Sequence, residues 1–409
     1  MEQEQFYNLS VDSGVLRFDT TLDLAIANSI RRTISADVPT AAFAFRANEY
    51  NIVPAPPPSI VVHKNTTVLH DEIIAHRISL LPIHFSEAEV ASIQDDVAHY
   101  EFFINLLNSG PTPLNVTSGD ITGTLEGAPL DEETLRRLFP ADPVTGDNVL
   151  IARMSPLHVD GHPGTWAEEL VASMIPVIGV GRQHTRWSPV SVCAFGNVVD
   201  AKKADADLKE LVDAARARGA TADEIELLAL DFNSLDRLRV TARGKDAPIL
   251  HFTIRSECGL RPTYLVLAAL RVLHTRLLDI AEQMIVRRDK AMNDVYAITI
   301  NGENHTIGNL IQSVVHDTFG GREVMYIGYH QPHPLEDYIV VKVKLNDAIA
   351  RPGQDKEFCS HAVKHVADVV AEVARKWLAA ISSVFEDQHA DIVKLAEFNK
   401  FMEPNQATV

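Results

Sequence analysis

The side chains able to do chemistry fall in separated groups: Arg31-Arg32 beside Asn28, His76-Arg77, the acidic pair Asp205 and Asp207, and His330 with His333. Neighbouring arginines suit bidentate binding of carboxylates or phosphates. A histidine beside an arginine could move a proton, and two histidines in one turn could begin a metal site. None of these groups completes a constellation. Asp205 and Asp207 lie in a helical, charge-rich stretch without the Asp-Gly-Asp context of a catalytic metal site, which favours a solvated pair. His330 and His333 are flanked by Pro332 and Pro334 with no further ligand nearby, which favours packing. The motifs GxxxxGK[ST], GxGxxG, HExxH and GxSxG do not occur. Cys193, Cys258 and Cys359 offer no CxxC pair, and their odd number argues against a disulfide framework. No catalytic residue, metal or cofactor is expected.

Bulk properties narrow the classes further. A chain of 409 residues, 46% hydrophobic and 22% charged, can fill real cores. It has no apolar run of the roughly 18 residues that would read as a membrane span. The formal charge of −18 opposes a broad grip on nucleic acid, which needs lysines and arginines against phosphates. The polar, acidic start Met1-Glu2-Gln3-Glu4-Gln5 is the reverse of a secretory or transit signal, so a reducing compartment is expected.

The elements that would position these groups follow from periodicity. Leu16 and Phe18 flank Arg17 in a short strand, and Thr20-Thr21-Leu22-Asp23 reads as a capping box. Leu22, Ile26, Ile30 and Thr33 then share a helical face, with Asn28, Arg31 and Arg32 opposite and Pro39 as the stop. Ala41–Phe45 follows as a strand, and Pro54-Ala55-Pro56-Pro57-Pro58 as a stiff boundary. Asp71-Glu72 should cap a helix carrying Ile74, Ile78 and Leu81, with His76 and Arg77 in its later turns. Strands are expected at Ile60–Val62, Tyr100–Leu107, Asn115–Thr117, Val149–Ala152 and Ser191–Phe195, and surface helices from Asp200 to about Leu230. Trp187 reads as a core or interface anchor.

After a strand at His251–Ile254, Arg261-Pro262 opens a long helix. Its Val266, Leu270, Leu273, Leu277, Ile280 and Met284 make a seven-residue apolar stripe, the pattern of a helix packed along another helix. Arg287-Arg288 should close it, and Lys290–Asp294 reads as a linker. Then Tyr296–Ile300 is a strand, Thr306 should cap a helix with Ile307, Leu310, Ile311 and Val314 inside, and Val324–Tyr329 and Tyr338–Lys344 are strands. Gly308 and Asn309 read as close packing at the helix start. A terminal helix carries Val363, Val366, Val370, Val373, Trp377 and Val384 on one stripe. Both ends of the chain thus hold strand, short helix, strands and a long striped helix, which suggests two related units pairing through their helices.

Several stretches together resemble the α-type assembly subunits of multisubunit DNA-directed RNA polymerases. Asn28 to Arg32 with Val38-Pro39-Thr40, Asp71 to Pro82, Gly179 to Val190 and Leu260-Arg261-Pro262 look like signatures of the larger partner: the bacterial α, archaeal D-type and third-largest eukaryotic polypeptides. His305 to Leu310, with Gly328-Tyr329 and Pro332 to Glu336, is similar to the smaller partner, the archaeal L-type or eleventh eukaryotic polypeptide. Both on one chain resembles a gene fusion found in large cytoplasmic DNA viruses of eukaryotes, including the asfarvirus group. Many larger partners carry a cysteine cluster in the inserted domain; here Cys193 stands alone in it, so no metal is expected. No counterpart of the bacterial C-terminal DNA-binding domain is expected.

The resemblance implies an α+β chain with an α-like dimerisation fold. Residues 1–46 and 247–290 would be the larger dimerisation domain, 47–246 its inserted α+β domain, and 291–409 a second, smaller α-like unit. The two would form an intrachain pseudo-heterodimer through Val266, Leu270, Leu273, Leu277, Leu310, Val366, Val370, Val373 and Trp377. The implied function is non-catalytic assembly of an RNA polymerase. Asn28, Arg31, Arg32, His76, Arg77 and Trp187 would meet partners: the β-like second-largest subunit, the β′-like largest subunit and small accessory subunits. The implied location is the host cytoplasm and the virion, with the nucleus possible, and no membrane. Two other classes stand beside it: an enzyme, which lacks its constellation, and a free adaptor, which would purify alone as a stable monomer.

Overall fold

The computed structural model describes residues 5–45, 59–156, 167–243, 248–289, 292, 294–346 and 355–394. The proline segment 54–58, most of the start 1–5 and part of the linker 290–294 lie outside the described residues. The helices described are α1 (Leu24–Ala36), α2 (Asp71–Ser79), α3 (Glu87–Gln94), α4 (Glu132–Leu138), α5 (Ala201–Ala217), α6 (Ala222–Asp231), α7 (Pro262–Gln283), α8 (His305–Phe319), α9 (Asp355–Val384) and α10 (Glu386–Lys394). Interleaved with strands, they make the mixed α and β architecture expected. No helix among the described residues is long and apolar enough to cross a membrane. The chain divides into two compact units, Met1–Arg32 with Val192–Ile254 and Val266–Val409, and Thr33–Ser191 with Arg255–Leu265.

In the first unit, one sheet has the strand order Phe6–Asp12, Val15–Thr20, Leu250–Ser256, Val190–Asn197. Its first hairpin turns at Ser13 and Gly14, both at positive φ (50° and 75°), the twist a two-residue hairpin requires. The other sheet is wholly antiparallel, in the order Ile285–Arg288, Val295–Asn301, Tyr338–Leu345, Val324–His330. The stripes expected from spacing are inside: Val266, Leu270, Leu277, Leu310, Val366, Val370 and Trp377 have no exposure, and Leu273 and Val373 have 1% and 3%. Val384 is the exception, 49% exposed, at the last residue of α9.

Some expected boundaries move for local reasons. Arg287 and Arg288 do not close α7; they sit in the strand Ile285–Arg288, paired with Ala297 and Tyr296. The pairing is extended by one more bond, Asp289 N–H donating to the Val295 carbonyl at 2.7 Å. Backbone pairing there outweighs helix propagation. Asn304, not Thr306, caps α8: its Oδ1 accepts from Thr306 N–H at 2.9 Å. Likewise His70 precedes Asp71-Glu72 as the cap of α2.

The second unit is built on a five-stranded sheet including Ile60–Asn65, Glu168–Met174 and Tyr100–Asn108, with a ribbon pairing Pro39–Phe43 with Pro176–Val180. Phe43, Phe85, Phe102 and Phe139 form its aromatic centre, with Phe43 and Phe102 edge to face at 5.7 Å. Arg261, just before α7, is tied to buried Glu87 of α3 through Nε at 2.8 Å and its own N–H at 3.1 Å.

Candidate functional site

Within the first unit, segments from the two ends of the chain share one core, and their contact forms a seam. Phe6 and Phe18 bring the first sheet to the Trp377 ring, with centroids 5.0 and 4.9 Å away. Phe18 stacks on Phe252 at 4.9 Å, and Phe252 meets Phe195 at the same distance. Four strands of the first sheet therefore contribute a ring to a cluster centred on α9. A fully buried tryptophan with aromatic neighbours adds about 0.5–1.5 kcal/mol per ring pair beyond area burial.

The helices are joined in the same sense. Ser360 Oγ of α9 donates to the Ala281 carbonyl of α7 at 3.0 Å, and His274 of α7 faces Asp368 and Arg375 of α9. Moving back along α7 moves forward along α9, so these helices run antiparallel. Burial holds the His274 imidazole below its ordinary pKa; Asp368 opposes that shift and Arg375 adds to it. Between these two positions along α7, Arg276 binds buried Glu303 through Nε (3.0 Å) and Nη2 (2.7 Å).

α1 and α8 also meet along the seam. Arg32 Nε donates to Thr306 Oγ1 at 2.7 Å, Ser29 Oγ lies 3.5 Å from the Thr306 carbonyl, and Ser313 Oγ donates to Asp23 at 3.3 Å. Gly308 of α8 is a close-approach position: a Cβ there would meet the Tyr329 ring at 2.4 Å. Its glycine is needed for space, since the helix itself would accept any side chain.

The residues expected to meet partners are divided between the units. In the first, Asn28 is half-buried and its Oδ1 accepts from Arg31 Nε at 3.4 Å, while Arg32 is exposed and commits its Nε to Thr306. In the second, His76 and Arg77 are both exposed on α2. His76 stands edge-on to Phe45 at 6.0 Å, and Arg77 Nη1 donates to the Ile151 carbonyl at 2.9 Å. Trp187 works inward: it is 4% exposed, packs with Ala42 and Ala44, and donates Nε1–H to the Val177 carbonyl at 3.1 Å. Thr40 donates to its carbonyl at 2.6 Å. The loop around it is fixed to the end of α1, where Arg182 pairs with Asp37 at 2.8 Å and donates its N–H to the Ala36 carbonyl.

The acid–base options are sparse. His84 is held below its ordinary pKa by burial, with Glu257 opposing. Burial raises the Glu89 carboxyl, but hydrogen bonds from Arg137 and Ser86 leave it below the usual range. Glu89 is thereby tied to Arg137 and Ser86. Among the described residues no group of three His, Cys, Asp or Glu side chains is arranged to hold a metal ion.

Spacing alone did not reveal Glu303, Arg32 with Thr306, or the Phe6–Trp377 contact. Glu303 could have been suspected as a lone carboxylate beside the apolar start of α8. Arg32 carried no signal separating it from Arg31.

Part of this fold corresponds to a known domain. Residues 296–376, which take in three of the four strands of the second sheet, α8 and most of α9, match the RNA polymerase Rpb3/Rpb11 dimerisation domain. The chain is similar to the bovine DNA-directed RNA polymerases I and III subunit RPAC1, with 26% identity covering 45% of this chain and 51% of that protein. It is also similar to DNA-directed RNA polymerase subunit Rpo3 of Aeropyrum pernix, 22% identical over 63% of this chain and 87% of the other. The RPB3 subunit of RNA polymerase II from Schizosaccharomyces pombe is 24% identical over 43% of this chain and 53% of its own length. The chain thus spans about half the length of the RPAC1 relatives it matches. These matches support homology with the α-like subunits of RNA polymerase.

Proposed function

We propose that the chain is a non-catalytic assembly subunit of a DNA-directed RNA polymerase, with both α-like partners on one polypeptide. The single observation that carries this is the seam: the segment matching the Rpb3/Rpb11 dimerisation domain leads into Trp377, which packs on the aromatic face supplied by Phe6, Phe18 and Phe252. In this reading 1–46 with 247–290 is the larger partner, 47–246 its insertion and 291–409 the smaller. Two separate subunits would lose several kcal/mol of translational and rotational freedom on pairing. On one chain that step is intramolecular, with an effective concentration set by the connection near residue 290.

The paired halves would offer Asn28, Arg31, His76 and Arg77 to the β-like second-largest subunit, and recruit the β′-like largest subunit and small accessory subunits. Guanidinium groups there suit carboxylates of a partner. Arg32 is reserved for Thr306 in this scheme. A fused viral polymerase subunit would work in the host cytoplasm and travel in the virion; this part rests on the single-chain arrangement.

Affinity-tagged chain, recovered from cells that make it and analysed by mass spectrometry, should bring down the two largest polymerase subunits in near-equal amounts. Arg31→Glu with His76→Glu should abolish their recovery while circular dichroism stays unchanged. Arg32 is left intact so that loss of the Thr306 contact does not confuse the result. Purification of the chain alone as a stable monomer would refute the assignment and favour a free adaptor.

A further inference from the structure

α6 continues into a π turn (Phe232–Asp236) and a 3-10 turn (Arg237–Arg239), making one rod in the first unit. No residue of α6 is buried, and Leu227, Leu230, Leu235 and Leu238 are 61%, 60%, 64% and 64% exposed. In an uninterrupted α-helix Leu235 would rotate away from the line of Leu227 and Leu230. The wider π turn makes Leu235 lag back toward that line, and the tighter 3-10 turn after it offsets the lag for Leu238, which ordinary helical spacing already places near Leu227. Phe232 is buried, and Ile225, Leu228 and Ala229 are half-buried. A row of four leucines kept in phase and left in water is what an interaction site looks like, since solitary exposed leucines need no such alignment.

The rim of the row is acidic. Asp223, Glu226 and Asp231 are exposed and make no ion pair among the described residues. The nearby cations are already engaged, Arg237 with Asp205 at 2.8 Å and Arg239 with Asp236 at 3.3 Å. Two copies of this face would set carboxylates against carboxylates, which disfavours self-association.

From the in-phase leucine row and its unpaired acidic rim, we infer that this rod docks an amphipathic helix of another protein, apolar on one side and flanked by lysine or arginine. Leucines of the incoming helix would lie between Leu227, Leu230, Leu235 and Leu238, in the helix-on-apolar-surface mode. Its cations would meet Asp223, Glu226 and Asp231. The surface uses none of the residues assigned to the seam or to polymerase docking, so its test does not depend on that assignment.

The test takes the full chain and a fluorescein-labelled synthetic helix of leucine and lysine, with a leucine–glutamate helix of the same pattern as control. Fluorescence anisotropy should show saturable binding of the lysine helix and none of the glutamate helix. Leu230→Ser with Leu235→Ser should weaken binding about tenfold or more, since it removes the two central leucines of the row. Both positions are exposed, and circular dichroism verifies that the variant stays folded. Asp223→Lys with Asp231→Lys should reverse the preference between the two helices. Absence of lysine-helix binding, equal binding of both helices, or binding indifferent to the leucine substitutions overturns the proposal. Leucine-dependent self-association in sedimentation would also overturn it, assigning the face to a second copy of the chain.

Discussion

Arg276 on α7 grips Glu303, just before α8, with two nitrogens on two carboxylate oxygens, at 3.0 and 2.7 Å. The Glu303 side chain is 8% exposed and that of Arg276 22%, so water cannot replace either partner well. Removing one member of a buried pair is costly because the other charge stays behind. Arg276→Ala or Glu303→Ala should therefore cost about 2–4 kcal/mol in urea unfolding, somewhat below the fully buried range because Arg276 keeps some exposure. Replacing both, as Arg276→Met with Glu303→Leu, should recover most of that loss. A double variant as unstable as the sum of the single ones would show that the pair does not act as a unit.

Gly308 and Tyr329 occupy space that one extra carbon would contest, the ring lying 2.4 Å from a Cβ built on the glycine. Gly308→Ala should destabilise by about 1–3 kcal/mol, the cost of overpacking, despite alanine's better helix propensity. In a Tyr329→Ala background the same change should be neutral or stabilising, because the ring is gone. A Gly308→Ala cost unchanged by Tyr329→Ala would place the constraint elsewhere.

The stripes of α7 and α9 were readable because a seven-residue period survives any partner, and the buried face is continuous over many turns. The strand Phe6–Asp12 was not. Asn8 sits at φ 54° and the pairing slips between Tyr7 and Ser10, so the two-residue alternation breaks in the middle. Glu168–Met174 alternates cleanly, but its first inward residue is Glu168, which is buried by accepting the Ser155 N–H at 2.6 Å. A carboxylate in that slot hides the pattern. The helix α3 did advertise itself through Ser86 and Glu89, a reciprocal capping box, and that signal was available to be read. For the candidate site, spacing indicated which residues are apolar and inward. It could not pair Arg32 with Thr306, because a contact across 274 positions leaves no local mark.

His274 gives the seam a pH dependence. Burial lowers its folded pKa, Asp368 raises it in part, and Arg375 lowers it again. The unfolded chain, with histidine near about 6.5, binds the proton more readily than the folded one. Stability is therefore complete above that value and falls as the pH drops through the depressed folded value. His84 in the second unit acts in the same direction, lowered by burial and opposed by Glu257. Urea midpoints should decrease between about pH 7.5 and about pH 5, and His274→Gln should flatten part of that decrease. A variant with an unaltered pH slope would remove His274 as its source.

Trp377 tests whether the two ends of the chain fold as one cooperative core. It has no exposure, and its ring meets Phe6 at 5.0 Å and Phe18 at 4.9 Å. Trp377→Ala should cost about 3–5 kcal/mol, the range for emptying a buried aromatic site. The location of the damage matters more than its size. If the seam is one core, amide exchange should accelerate both in α9 and in the strand Val15–Thr20, which is remote in sequence but carries Phe18. Trp377→Phe should restore protection in both places together, because a smaller ring still spans much of the gap. Exchange confined to α9 would mean that the first sheet is stable without it, and that the chain holds two cores in contact rather than a single one.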